Sequence, residues 1–97
     1  MANGQGTAIL DYGASPGSNE AFIVVTGIPT ISSTSKAEAY FMGDDTTIDH
    51  TAVDHRYTAA LVGLTCGTPV TGVGFTIYGY TPQKLERTYQ VRWVWTD

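Results

Sequence analysis

Cysteine is nearly absent from this chain: Cys66 stands alone among 97 residues, so no disulfide can close within it. Basic residues are scarce too. Lys36, Arg56, Lys84, Arg87 and Arg92 are the full set of 5, against 9 acidic residues, for a net charge of −4. Neutralising phosphates needs clustered lysine and arginine, so nucleic acid is not an expected partner. The same balance argues against docking on an anionic membrane. No apolar run approaches the roughly 20 residues of a membrane-spanning helix. The opening Met1-Ala2-Asn3-Gly4-Gln5-Gly6 has neither a basic start nor an apolar stretch, unlike a secretory leader, and the expected place of synthesis is a cytoplasm. The length fits one domain, 1–97, which buries only about 60–65% of its unfolded surface. With no disulfide, the missing support is expected from other chains or from a metal.

Helix formers are few, whereas threonine, valine, isoleucine, tyrosine and glycine dominate. Strand-like runs recur at Thr7–Tyr12, Ala21–Thr26, Lys36–Met42, Thr58–Cys66, Val73–Tyr80 and Thr88–Thr96. Turn-rich pieces at 13–19, 27–35, 67–69 and 81–84 separate them. The expected fold is all-β: a single small sandwich of about six to eight strands, jelly-roll-like or immunoglobulin-like. In the last run Tyr89, Val91, Trp93 and Trp95 alternate with polar residues, which places both indoles on a buried face and stitches the C-terminal end into a sheet. Val73, Phe75 and Ile77 point inward by the same rule, opposite Thr76 and Tyr78. The run Ala21-Phe22-Ile23-Val24-Val25 is apolar on both faces, so it is expected centrally in a sheet or under a partner subunit. Cys66 shares a face with Ala60, Val62 and Leu64 and reads as a small buried hydrophobe. One irregular stretch, Gly43–Tyr57, is long for a hairpin. A short helix near Thr47–His55, capped by Asp44 or Asp45, is expected inside it.

Both histidines lie in that stretch, in Asp49-His50-Thr51-Ala52-Val53-Asp54-His55. Imidazole and carboxylate ligate divalent metals, which makes His50, His55, Asp49 and Asp54 weak metal candidates. A spacing of five aims the two rings apart, and neither a thiolate nor a third histidine completes a ligand set. Acid–base catalysis by a His–Asp pair lacks an activated nucleophile. The reading favoured by ligand count is structural: aspartates capping turns, histidines bonded to backbone or to a neighbouring chain. Gly72-Val73-Gly74 lacks the third glycine, the helix and the lysine of a phosphate loop and reads as a turn entering a strand. Of the aromatics, most fill the core of so small a domain. Tyr78 and Tyr80, opposite Phe75 and Ile77, are the interface candidates.

The string Gly72-Val73-Gly74-Phe75-Thr76-Ile77-Tyr78-Gly79, closed by Tyr89-Gln90-Val91-Arg92-Trp93-Val94-Trp95, has a family look. Together with Ala21–Gly27, Ala37-Glu38-Ala39-Tyr40 and the Asp-His segment, it resembles a group of small proteins encoded by tailed phages and prophages. The resemblance covers nearly the whole chain and carries no catalytic motif. It implies a β-domain that contributes to a virion, as a capsid decoration (cement) protein or as a piece of tail or fibre.

The expectation is therefore a non-enzymatic phage virion component, without a cofactor, that binds capsid or tail proteins and itself. It would be located in the virion after synthesis in the host bacterial cytoplasm, and homo-oligomers, trimers among them, fit the rotational symmetry of such particles. The expected contacts are Glu38, Tyr40, Met42, Asp44, Asp45, Asp49, His50, Asp54, His55, Tyr78 and Tyr80. Replacing Asp49, His50, Asp54 and His55 by alanine is then expected to weaken assembly more than folding. The alternative is a receptor- or glycan-binding module of a tail or fibre, with exposed aromatics near Asp44 or Asp45 and calcium as an optional ligand.

Overall fold

The alternating C-terminal run becomes β6 (Thr88–Thr96), the central strand of a three-stranded sheet. The computed structural model describes residues 2–43 and 45–97. Ahead of β6 come β1 (Asn3–Asp11), β2 (Ser18–Val25), β3 (Lys36–Tyr40), helix α1 (Ala52–Ala59), β4 (Gly63–Cys66) and β5 (Phe75–Leu85). Two antiparallel sheets result, β1-β6-β3 and β2-β5-β4, packed as an all-β sandwich. The first strand pairs with the last and the second with the second-last. That nesting is the jelly-roll pattern; an immunoglobulin sandwich would pair the first two strands within one sheet. Two of the places where the chain crosses between the sheets, the β1–β2 and β5–β6 turns, lie side by side. Their backbones are tied together where Tyr12 N–H donates to Arg87 O at 2.8 Å and Arg87 N–H donates to Gly13 O at 2.7 Å.

The core lies between the sheets and is built by period-two alternation from both sides. Leu10, Tyr89, Val91 and Trp95 come from one sheet, and Ala21, Val25, Phe75 and Ile77 from the other. Trp93 stands half-buried with its ring edge-on to Phe75, centroids 5.5 Å apart. Strand β1 begins at Asn3, four residues before the expected Thr7, and glycine is the reason. Gly4 and Gly6 lie opposite Trp95 and Trp93 in the β1–β6 ladder. A Cβ on either would sit 2.5 Å from the indole of Trp95 or 2.4 Å from that of Trp93. Poor strand formers are retained there because the indoles fill the space a side chain would take.

Four expectations need correction. The run Thr58–Cys66 is not one strand: α1 continues to Ala59 and only Gly63–Cys66 is extended. Val62 is buried as expected, Leu64 and Cys66 are only half-buried, and Ala60 is exposed. The helix itself starts at Ala52, not near Thr47, and its cap is Thr51, whose side chain accepts from Asp54 N–H. Thr47 is occupied elsewhere, donating through Oγ1 to Thr88 O at 2.9 Å, and Asp45 is committed to Arg92. Asp44 lies outside the described residues. The two-faced apolar strand β2 sits at a sheet edge, not at its centre. Finally, Val73 is exposed in the tight turn that joins Val70 to Gly74, because the inward alternation of β5 begins only at Phe75.

Candidate interaction surfaces

The Asp-His segment folds onto the β5–β6 turn, and its two histidines part company. His55 is completely buried. Its Nδ1–H donates to Thr51 O at 2.9 Å, and its Nε2 accepts from Gln90 N–H at 2.9 Å. This fixes a neutral tautomer that rivets α1 to the central strand of the sheet. The ring also meets Tyr89 edge-on at 5.3 Å and Phe41 at 6.3 Å. His50 lies half-buried and stacked on the other part of the same tyrosine, centroids 3.9 Å apart and planes 12° apart. Its Nε2 lies 2.8 Å from Glu86 O and its Nδ1 3.3 Å from Asp54 Oδ2. The two rings pack on the same tyrosine with separate hydrogen-bond partners, and no group of three metal-ligating side chains forms among the described residues.

Asp49 closes the same joint. Its Oδ2 accepts from both the N–H and the hydroxyl of Thr88. The Thr88 hydroxyl, above all, holds the Asp49 carboxyl below the ordinary carboxylate range, helped by the Thr88 amide and the nearby Arg87. A depressed value means that this anchor is complete above about pH 4, the unfolded value, and is lost as pH falls through the folded one. The protection factor of the Thr88 amide, its NMR exchange rate set against the intrinsic rate at each pH, is expected to fall in the wild type between pH 5 and pH 2. In Asp49→Asn it should already be low at pH 5. A wild-type protection factor that acid leaves unchanged would contradict this role.

Of the other expected contact residues, Asp45 is 6% exposed and is gripped by Arg92 through two bonds, 2.8 and 3.1 Å. This pair raises the guanidinium's already high pKa, and it commits Asp45 to a partner within the fold, not to an outside cation. Glu38, Tyr40, Met42, Asp49, Asp54 and Tyr80 are exposed, and Tyr78 is half-buried. Buried His55 cannot touch a partner, so its expected contact role gives way to a structural one. The reason is Gln90, whose backbone N–H donates to this ring nitrogen.

The structure brings together one surface that residue-type reasoning only half located. On the outer face of the second sheet, Phe22 lies opposite Tyr78 and Glu20 opposite Tyr80 in the β2–β5 ladder. Val24, beside Phe22 on β2, completes an apolar row. Phe22 is 66% exposed, Val24 51% and Tyr80 50%. The Phe22 and Tyr78 rings stand 6.4 Å apart, and those of Tyr78 and Tyr80 are parallel at 6.3 Å. Phe22 and Val24 stand outside the expected contact residues, although their two-faced run is expected centrally in a sheet or under a partner subunit. A strand at a sheet edge with apolar residues on its outer face presents them to solvent unless another chain covers them.

A second feature lies where β3 and β4 face each other across the sandwich. A groove of about 520 Å³ opens there, with Ala37, Ala39, Leu64, Cys66 and Trp95 among its lining residues. Burial, with a smaller push from Glu38, raises the Cys66 thiol to about 11. It is a protonated, half-buried hydrophobe at neutral pH, as its position in the sequence implied. Tyr12 behaves alike: burial, then Tyr89, carries its phenol to about 12, and its hydroxyl donates to Gly79 O at 3.2 Å. Among the described residues, no helix is long and apolar enough to cross a membrane. The chain matches no family model, no curated protein and no solved structure.

Proposed function

We propose that this chain is a non-enzymatic structural component of a phage virion, a decoration or cement protein that binds shell subunits. The observation that carries the reading is the outer face of β2 and β5, where exposed Phe22, Val24 and Tyr80 and half-buried Tyr78 form one apolar row. Such rows are the centre of protein interfaces: aromatic anchors rimmed by polar groups, here Glu20, Thr65 and Thr76. The groups that invited a catalytic reading have structural duties instead. His55 holds a helix to a strand, and Asp49 and His50 pin a loop to a turn. Fold alone decides nothing about function, and the virion setting rests on the sequence resemblance.

The test has two stages. Quantitative mass spectrometry of purified particles is expected to find this chain at a copy number comparable with the main shell protein. The double variant Phe22→Ser/Tyr80→Ser is then expected to fold normally and to lose particle binding by about 100-fold. Each buried aromatic contributes roughly 1.5–3 kcal/mol, and about 1.4 kcal/mol is a factor of ten. Unchanged binding would remove this face from the interface; absence from particles would remove the virion role.

A second reading is favoured by one specific feature, the parallel Tyr78 and Tyr80 rings beside Phe22. Exposed aromatic faces stack on sugar rings, as a receptor- or glycan-binding module of a tail or fibre requires. Under that reading, titration with host-surface glycans quenches tyrosine fluorescence in the wild type and not in the double variant. A flat titration rejects it.

A further inference from the structure

We propose that the open edge of β3 is a self-pairing surface, to which a second copy of this chain adds its own β3, antiparallel, about a two-fold axis at Ala37. This inference does not rest on the virion reading. Three observations lead to it, the first being topological. The nested pairing β1–β6 and β2–β5 stops before its innermost strands, so β3 and β4 are sheet edges facing each other across the sandwich. A complete jelly roll of about eight strands carries a fourth strand on each sheet at this position. Among the described residues the chain supplies none.

The second observation is the space this leaves. The groove of about 520 Å³ runs along these two edges, and apolar side chains that would otherwise be core lie on its floor: Leu64, Cys66 and the nearly fully buried Trp95. A strand added beside β3 covers that floor, with its own inward-facing residues aimed into the groove.

The third observation selects the occupant. Lys36 and Glu38 are exposed on the outer face of β3, two residues apart, and neither makes an ion pair among the described residues. Charges on an edge strand ordinarily repel an incoming strand. This pair is self-complementary instead. With Ala37 opposite Ala37 of the second copy, Lys36 faces Glu38 of that copy and Glu38 faces its Lys36. Both symmetric contacts are opposite-charge cross-strand pairs. The neighbouring symmetric register sets Glu38 against Glu38 and is repulsive, so charge chooses between them. The two sheets then join into one six-stranded sheet, β1-β6-β3 followed by β3-β6-β1 of the second copy, with a closed two-fold interface.

Pairing over so short a strand buries less than a standard interface, so the dimer is weak and concentration-dependent. Sedimentation equilibrium of the purified chain, from micromolar to millimolar, is expected to show a reversible monomer–dimer equilibrium. Lys36→Glu and Glu38→Lys each replace two attractive pairs with two repulsive ones and weaken it by about tenfold or more. The double variant Lys36→Glu/Glu38→Lys restores complementarity with the signs exchanged, and its dissociation constant returns to within about threefold of wild type. Both side chains are exposed, so circular dichroism of all four proteins should coincide. A wild type that stays monomeric to millimolar concentration, or that forms trimers, overturns the proposal. So does a dimer indifferent to the single changes, or a double variant no better than the single ones.

Discussion

His55→Ala is expected to destabilise the folded domain by about 3–5 kcal/mol, a loss large enough to leave much of the protein unfolded at physiological temperature. The imidazole is completely buried and uses both nitrogens, accepting from Gln90 N–H and donating to Thr51 O. Alanine removes the ring and its contacts with Tyr89 and Phe41, and it orphans an amide in the central strand. A cavity and an unsatisfied buried donor are separate costs that add. His55→Gln retains an acceptor that can reach the Gln90 amide, so its loss should be about half as large. His50→Ala is the contrast: its stack on Tyr89 and its polar contacts lie at a wet surface, and about 1 kcal/mol is expected. Urea unfolding of the four proteins gives the ranking. A His55→Ala variant within about 1 kcal/mol of wild type would show that the helix–strand rivet is dispensable.

That ranking also reverses an expectation from the sequence. Alanine at Asp49, His50, Asp54 and His55 was expected to weaken assembly more than folding. These side chains instead bond within the fold: Asp49 to Thr88, His50 to Glu86 and Asp54, and His55 to Thr51 and Gln90. The four-fold change should therefore register in stability first, with His55 carrying most of it.

How far the fold was legible depended on what kind of signal each element carried. Strand β6 was read residue for residue because its alternation is strict and its large side chains all point one way. The sandwich class followed from several such strands. Strand β1 was read from Thr7 on, because Asn3-Gly4-Gln5-Gly6 has no strand propensity of its own. Its extension is imposed by Trp93 and Trp95 across the ladder, nearly ninety positions later. Helix α1 was misplaced for a similar reason. Two aspartates looked like caps, yet Asp45 is drawn to Arg92, and Thr51 caps instead. Local chemistry identified the residue types that end helices and turns; which of them do so depended on distant partners. The same limit applies to the surface. Tyr78 and Tyr80 could be assigned outward from their own strand, whereas the two-faced apolar run of β2 does not say which side meets solvent until its place in the sheet is known. Strand order of that kind is not written in any one segment.

Gly79→Ala is the second change expected to cost heavily, about 2–3 kcal/mol for a single methyl group. Gly79 lies on the inner face of β5, between the buried side chains of the opposing sheet. A Cβ there would sit 2.6 Å from the Tyr12 hydroxyl and 2.9 Å from Leu10 Cδ1. Neither neighbour retreats without cost. Leu10 is wholly buried, and Tyr12 is held edge-on against Tyr89 while its hydroxyl donates to the carbonyl of Gly79 itself. Tyr12→Phe alone loses that bond, about 1 kcal/mol. In the double variant the absent hydroxyl makes room for the methyl, so the two costs should sum to less than their separate values, with a coupling of about 1 kcal/mol or more. Additive costs would mean that the strain is relieved by moving β5 and not Tyr12. That outcome has its own readout, because β5 carries Tyr78 and Tyr80 on its opposite face. If Tyr12 absorbs the strain, the partner binding proposed for that face is preserved in Gly79→Ala at temperatures where it stays folded; if the strand moves, that binding falls with it.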